Sequence, residues 1–298
     1  MQILVAGWFS FNGMGATAGD LISRDIVCSW LREAGLSFDI ALADPFELEG
    51  AVDWRKIDAE RYSNVVFVCG PFGNGWPLTE FLSTFSNAKL IGVNLSLLQP
   101  LDDWNPFHLL FARDSSLASH PDISFHGKPS DIPVVGIILV HKQKEYGKRA
   151  LHERAEAVIN NFLSHTEAAV VYIDTAIPNN KGQLRTPAEV EALIKKMDLV
   201  ITTRLHGVVL TLKNEIPVIP IDPIAGGAKI TQQVRTIGWP ILFNAESLNI
   251  NSLSEAYKFC LTPEARMQAK KIAERSISEV EKIHQAFVKE LKVLAESK

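Results

Sequence analysis

The chain predicts an α/β protein of two Rossmann-like parallel-sheet domains in tandem, and three observations predict it. Its 298 residues exceed one ordinary domain and match two of roughly 150. Short apolar runs alternate with helical patterns, and after Pro129 the alternation starts again. The runs are apolar on both faces, as strands are when helices cover both sides of a parallel sheet. Hydrophobic residues make up 47% and charged residues 21%, so a full core can be buried and a disordered chain is excluded.

In the first half, apolar runs at Ile3 to Ala6, Phe38 to Ala41, Val65 to Cys69 and Leu90 to Val93 read as strands. Helical patterns run from Ala18 to Ala34 and from Leu78 to Phe85. The stretch from Pro121 to Pro133, rich in Pro, Ser, Asp and Gly, reads as a linker, giving domains 1–130 and 131–298. The second half opens with a strand from Val134 to Val140 and a helix of about twenty residues from Glu145. It continues with a strand at Ala168 to Ile173, a helix near Pro187 to Lys196 and a strand at Leu199 to Thr202. A helix from His206 to Asn214 and a strand from Val218 to Ile221 follow. From Pro263 to Lys298 apolar residues recur at helical spacing, predicting a long amphipathic helix. Two such domains imply a cleft, and ligands of these sheets bind outside the carboxyl ends of the strands.

Charge narrows the function. The formal net charge is −4 and the basic residues are scattered, so no surface is set up to track a nucleic-acid backbone. Cys28, Cys69 and Cys260 lie far apart with no CxxC pair, which fits neither a disulfide framework nor a thiolate zinc site. The histidines are equally dispersed, and no metal is expected. Met1 to Gly7 lacks the basic n-region of a signal peptide, and no window approaches the roughly 18 apolar residues of a membrane span. A cytoplasmic location is expected, with peripheral placement at the inner membrane face as its variant.

The segment Asp198 to Gly207 carries the most chemistry. A buried strand ends and a helix begins with Arg204, Leu205, His206 and Gly207 at the junction. A helix N-terminus offers free N–H groups and partial positive charge to an anion, and Arg204 adds a donor fork suited to phosphate or carboxylate. Gly207 would let a ligand or a neighbouring backbone come close. His206 is a candidate proton donor or acceptor. The plain alternative makes Arg204 a structural ion pair and His206 a cap.

Ile201 to Gly207, the apolar helix after it, Ile216 to Asp222 and then Lys229 resemble the C-terminal signature of polysaccharide pyruvyl transferases. Echoes elsewhere follow the family's order: Gly19-Asp20 closing the first loop, the glycines of Cys69 to Gly75, and Phe111 to Ser116. The resemblance implies a GT-B-like arrangement of the two domains with a cleft between them. It also implies transfer of the enolpyruvyl group of phosphoenolpyruvate to a sugar diol, giving a pyruvate ketal and phosphate. The donor substrate is then phosphoenolpyruvate, with no cofactor, and the acceptor is a sugar or lipid-linked glycan. Arg204, Leu205, His206, Gly207 and Lys229 would hold the donor, with Arg204 and His206 as catalytic candidates. The acceptor would meet Gly15, Thr17, Gly19, Asp20, Gly70, Asn74 and Arg113 in the N-terminal half. Thr17 stands where the family usually carries Asn. His141 and Lys142 stand where an Arg normally helps grip the donor, and a solvated charged loop is the other reading of that pair.

Asp20 also reads as a dipole-complementing carboxylate and Arg113-Asp114 as a surface pair. Trp8, Trp76 and Trp104 read equally as sugar platforms or as packing. Gly13 to Gly19 with Asp39 or Asp44 further on is a weak dinucleotide-site pattern. Two other functions stay open: a nucleotide-sugar glycosyltransferase, and a non-catalytic member that binds an anion or a partner.

Overall fold

The structure is a computed structural model that describes residues 2–140, 144–177 and 182–296. The chain divides into two units, residues 1–130 and 131–298.

The N-terminal unit runs β1 (Ile3–Ala6), α1 (Ala18–Glu33), β2 (Phe38–Ile40), β3 (Asn64–Val68), β4 (Pro71–Phe72), α2 (Leu78–Thr84), β5 (Lys89–Leu97) and β6 (Leu109–Asp114). All pairings are parallel in the order β2-β1-β3-β5-β6, and β4 pairs with β5 beyond the end of β3. The strand period of two feeds both faces: Leu4, Ala6, Val65 and Phe67 enter one core, Ile3, Val5, Val66 and Val68 the other. The first core is aromatic, with Phe11, Trp54, Phe67 and Phe81 meeting mostly edge to face at 5.1–6.2 Å.

The C-terminal unit runs β7 (Val134–Ile138), α3 (His152–Leu163), β8 (Ala169–Tyr172), α4 (Pro187–Ile194), β9 (Leu199–Thr202), α5 (Leu205–Lys213), β10 (Val218–Asp222), α6 (Lys229–Ile237), β11 (Phe243–Asn244), α7 (Ile250–Cys260) and α8 (Pro263–Glu296). Its sheet is also parallel, in the order β11-β10-β9-β7-β8. Each unit therefore reverses strand order once, between β1 and β3 and between β7 and β9. Each has a switch point where a crevice opens at the carboxyl edge.

The fold class expected from the sequence is the one observed, two parallel-sheet α/β units, with corrections in detail. The helix expected for about twenty residues from Glu145 is interrupted. Residues 144–149 form 3-10 turns with Gly147 in the left-handed region at φ 51°, and α3 starts only at His152. Leu151 N–H is spent on Pro223 O at 2.7 Å, which ties that break to the end of β10. The expected linker is partly structured: Ile123–His126 form a 3-10 turn capped by Asp122, and Ile123 packs into the N-terminal core. The strand expected to stop at Val93 continues to Leu97, bulged at Asn94, whose φ is 59°. Helices α6 and α7 were not expected. All three cysteines are free and buried.

Candidate active site

Threonines fasten the switch point of the C-terminal unit. Val140 N donates to Thr203 Oγ1 at 2.9 Å, and Thr203 N donates to Ile138 O at 3.1 Å. The buried Thr202 Oγ1 donates to Ile138 O at 2.7 Å and accepts from Arg204 N at 3.0 Å. The ends of β7 and β9 are thus locked together, and extended Arg204 (φ −117°, ψ 133°) is the N-cap from which α5 begins. The Arg204 side chain does not cap α5, and no other side chain among the described residues does. Its first amides, on Leu205, His206 and Gly207, have no intrahelical acceptor, so the positive end of the helix is presented at the crevice.

Gly207 corrects one expectation. A Cβ there would collide with Thr202 Oγ1 and stand 3.0 Å from Ile138 Cγ2. The glycine is buried and lets α5 sit against the end of β9; its missing side chain makes room for Thr202 rather than for a ligand.

The side chain of Arg204 is 17% exposed and held from the segment just after β8: Nη1 donates to Thr175 Oγ1 at 2.9 Å and to Asp174 Oδ1 at 3.3 Å. Nε and Nη2 have no partner among the described residues, so the fork is oriented by one arm and open on the other. His206 and Lys229 are exposed and make no hydrogen bond among the described residues. Arg204, Leu205, His206 and Lys229 all line one cavity of about 240 Å³, together with Thr175, Thr203 and Asp222. That volume is below the roughly 300–1,000 Å³ of pockets for drug-sized ligands, and it suits a small anion. The expected His141 and Lys142 lie outside the described residues.

Asp222 is 1% exposed and fully occupied. Its Oδ2 accepts from Ala228 N (2.7 Å), Thr231 N (3.0 Å) and Thr231 Oγ1 (2.7 Å), and its Oδ1 accepts from Ile224 N (3.2 Å). It fixes the turn that places Lys229 at the first position of α6. The Arg149 guanidinium clamps the same turn through Ala225 O at 2.8 Å and Gly227 O at 3.1 Å. The sequence reading gave no role to Asp174, Thr175, Asp222 or Arg149. One signal was available: Asp174 and Thr175 are polar residues just beyond an apolar strand, at the carboxyl edge where ligand sites form.

Most residues expected at the acceptor side are committed internally. Thr17 and Asp20 cap α1 reciprocally: Thr17 N and Oγ1 donate to Asp20 Oδ2 at 2.7 and 2.8 Å. Gly70 (φ 80°) lies under Trp8, whose Nε1 donates to Pro71 O at 2.9 Å, and a Cβ on Gly70 would enter the indole. Arg113 pairs with Asp122 at 2.9 Å and Asp114 at 3.4 Å and donates to Ser96 Oγ. Burial opposes ionisation of Asp122, but Ser124 N–H and the Arg113 guanidinium outweigh it and hold the carboxyl at about 2. Asn74 N donates to Gln99 Oε1 at 2.8 Å. The side chain of Asn74 is exposed, and nothing stands near Gly15. Gly19 sits inside the first turn of α1 against Thr17. Of the tryptophans, Trp104 stacks on Phe72 at 5.8 Å, while Trp76 is 71% exposed.

A strand end carrying Arg204, the N-terminus of α5 and Lys229 thus surround one small cavity. Residues 114–223 match the family model of polysaccharide pyruvyl transferases. The match holds Arg204 to Gly207, Asp174 and Asp222, and Lys229 lies just beyond it. The matched stretch runs from the end of β6 to just past the end of β10 and so includes this switch point. No curated protein matches the chain. Among solved structures, the glycotransferase of kitacinnamycin is 10% identical, covering 92% of this chain and 94% of that one at a TM-score of 0.32. The UDP-GlcNAc 2-epimerase of Methanocaldococcus jannaschii is 11% identical, covering 93% and 100% at 0.34. Likeness at this level decides neither fold nor reaction. No helix among the described residues is long and apolar enough to cross a membrane.

Proposed function

We propose that the chain transfers the enolpyruvyl group of phosphoenolpyruvate to two hydroxyls of a sugar or glycan, forming a pyruvate ketal and releasing phosphate. The observation that carries this reading is the uncapped N-terminus of α5 with Arg204, His206 and Lys229 around one small cavity. A donor with a phosphate and a carboxylate needs cationic and N–H donors converging from different directions. The open arm of Arg204 and the α5 amides that follow it supply them from one segment, and Lys229 at the start of α6 supplies them from another. The cavity favours a small donor over a nucleotide sugar, which needs room for a base and a ribose.

The reaction moves two protons. The methylene carbon of the donor gains one to become the methyl group, and the departing phosphate takes the other. The two sugar hydroxyls supply both as their oxygens bond to the former enol carbon. His206 at the mouth of the cavity serves one of these transfers, and Arg204 with the helix end stabilises the leaving phosphate. Asp174 and Thr175 aim Arg204, while Asp222 and Arg149 fix the turn that carries Lys229. The acceptor is assigned to the N-terminal unit. There Gly15 and Asn74 keep open surface, whereas Thr17, Asp20 and Arg113 are engaged internally.

Calorimetric titration of phosphoenolpyruvate, with phosphate, pyruvate and a nucleotide-sugar panel as controls, tests the reading. Saturable binding of phosphoenolpyruvate, weakened at least about 30-fold in Arg204→Ala, is the expected result, since charge-assisted hydrogen bonds to anions are worth about 2 kcal/mol or more. Binding of a nucleotide sugar and not of phosphoenolpyruvate would replace pyruvyl transfer with glycosyl transfer.

A further inference from the structure

Helix α8 is 34 residues long, and its two parts meet different surroundings. Ala265, Ala269, Ile272 and Ala273 are buried, and the helix there packs against α5 and α7. From Ile277 to Glu296 every residue is exposed. As far as His284 the helix still walls a groove with α5 and α6, and beyond it the helix stands off as a rod; the twenty residues span about 30 Å at 1.5 Å per residue.

The rod is not a polar solvated tail. Ile277, Val280, Phe287, Leu291 and Leu294 are 48–66% exposed. Together with His284 they fall at intervals of three, four, three, four and three, the a and d positions of a heptad seam. Ile283 and Val288 widen the seam on its flanks. The seven apolar side chains expose on the order of 700 Å² at the usual size of aliphatic and aromatic groups. A standard stable interface buries roughly 800 Å² per partner. A helix lying on lipid needs a broad apolar face and a basic polar face. Here the remaining face mixes Glu279, Glu281, Glu290 and Glu296 with Lys282, Lys289 and Lys292, so nothing draws it to anionic headgroups. A narrow seam of period 3.5 calls for another helix.

We propose that this seam is covered by the same helix of a second copy of the chain, running antiparallel, so that the protein is a two-fold dimer through α8. The register sets Ile277 against the partner's Leu294, Val280 against the partner's Leu291, and His284 against the partner's Phe287. Orientation follows from the root of the helix. An apolar cavity of about 390 Å³ there is walled by Val209, Leu212, Ile237, Ile272, Ile277 and Val280. Antiparallel pairing brings the partner's Leu291 and the partner's Leu294 down beside this groove, and the two-fold axis makes the contact twice. Parallel pairing would leave both grooves open and oppose two His284 rings.

Light scattering after size exclusion, on the full chain over a concentration series, tests the proposal. A dimer is expected. Phe287→Glu combined with Leu291→Glu, both on the stand-off rod, should give a monomer with an unchanged melting profile at low concentration. The dimer Kd should rise about 1,000-fold or more, because each anchor counts twice across the axis. Ile277→Cys with Leu294→Cys should form a covalent dimer on mild oxidation while neither single variant does. The native cysteines are buried and add no background. A wild-type monomer at the highest soluble concentration would overturn the proposal. So would efficient cross-linking of the single variants, or a dimer that survives the double glutamate variant. Binding of a monomer to phosphatidylglycerol vesicles, abolished by the glutamates, would give the seam to a membrane instead.

Discussion

The two switch points share a topology and differ in what fills them. In the N-terminal unit, α1 is capped by its own Thr17 and Asp20, and the indole of Trp8 occupies the open side of Gly70. In the C-terminal unit, no side chain among the described residues caps α5, and Gly207 turns its open side inward to Thr202, leaving the helix end uncapped by them beside Arg204 and Lys229. A doubly wound sheet creates a crevice wherever its strand order reverses. The crevice becomes an anion site only when the orphan amides of the adjoining helix are left to the ligand. Backbone glycines mark both places and distinguish neither.

The largest expected effect tests whether the open crevice is the reacting one. His206→Ala should lower kcat by about 10²–10⁴, the usual contribution of a general acid or base, and leave donor affinity within about threefold. Steady-state rates alongside donor titration read the two apart. Unchanged kcat would reduce His206 to a bystander on an exposed helix end.

Next comes the closed crevice. Gly70→Ala puts a Cβ into Trp8 at a backbone φ of 80°, so strain and clash add to about 2–4 kcal/mol of lost stability with donor binding unaffected. Adding Trp8→Ala should relieve the clash but not the strain, recovering only part of the melting temperature. Loss of donor binding in Gly70→Ala would mean that the closed crevice also serves the donor, and the comparison would fail.

Gly207→Ala should show the converse at smaller cost. Its Cβ meets Thr202 and Ile138, an overpacking worth about 1–3 kcal/mol, offset in part by the gain of Ala over Gly within a helix. Thr202 holds Arg204 N, so a shifted Thr202 moves the start of α5 and weakens donor binding as well as stability. Destabilisation without any change in donor affinity would separate the packing of α5 from the site.

What the sequence reveals of this comparison follows sequence distance. The alternation of strands and helices, the boundaries of β1 and β9 and the run Arg204 to Gly207 are local patterns, legible because period and junction chemistry lie within a few residues. Asp174 bracing Arg204 from thirty residues away, Arg149 reaching Ala225 and Trp8 covering Gly70 are choices made by packing. Thr17 and Asp20 show a subtler limit. Their spacing of three is the mark of a capping box as much as of a binding loop, and only the reciprocal bonds decide between them.

The smallest expected effect lies with Arg113, and it asks whether the closed edge is closed to an acceptor too. Asp122 sits at about 2, against an ordinary 3.8. A carboxylate held below its unfolded value stabilises the fold above that value, and the contribution fades as pH falls through about 4 toward 2. Arg113→Met removes one of the groups holding it down, so acid unfolding should begin at higher pH. At neutral pH the loss should stay below about 1 kcal/mol, because Arg113 and Asp122 are 33% and 29% exposed and solvent screens the pair. Circular dichroism from pH 7 to 2 follows the shift. If acid unfolding shifts as expected and transfer to the acceptor is lost as well, Arg113 leaves Asp122 for a ligand during turnover. Both carboxyl edges then carry chemistry, one open at rest and one opened by substrate.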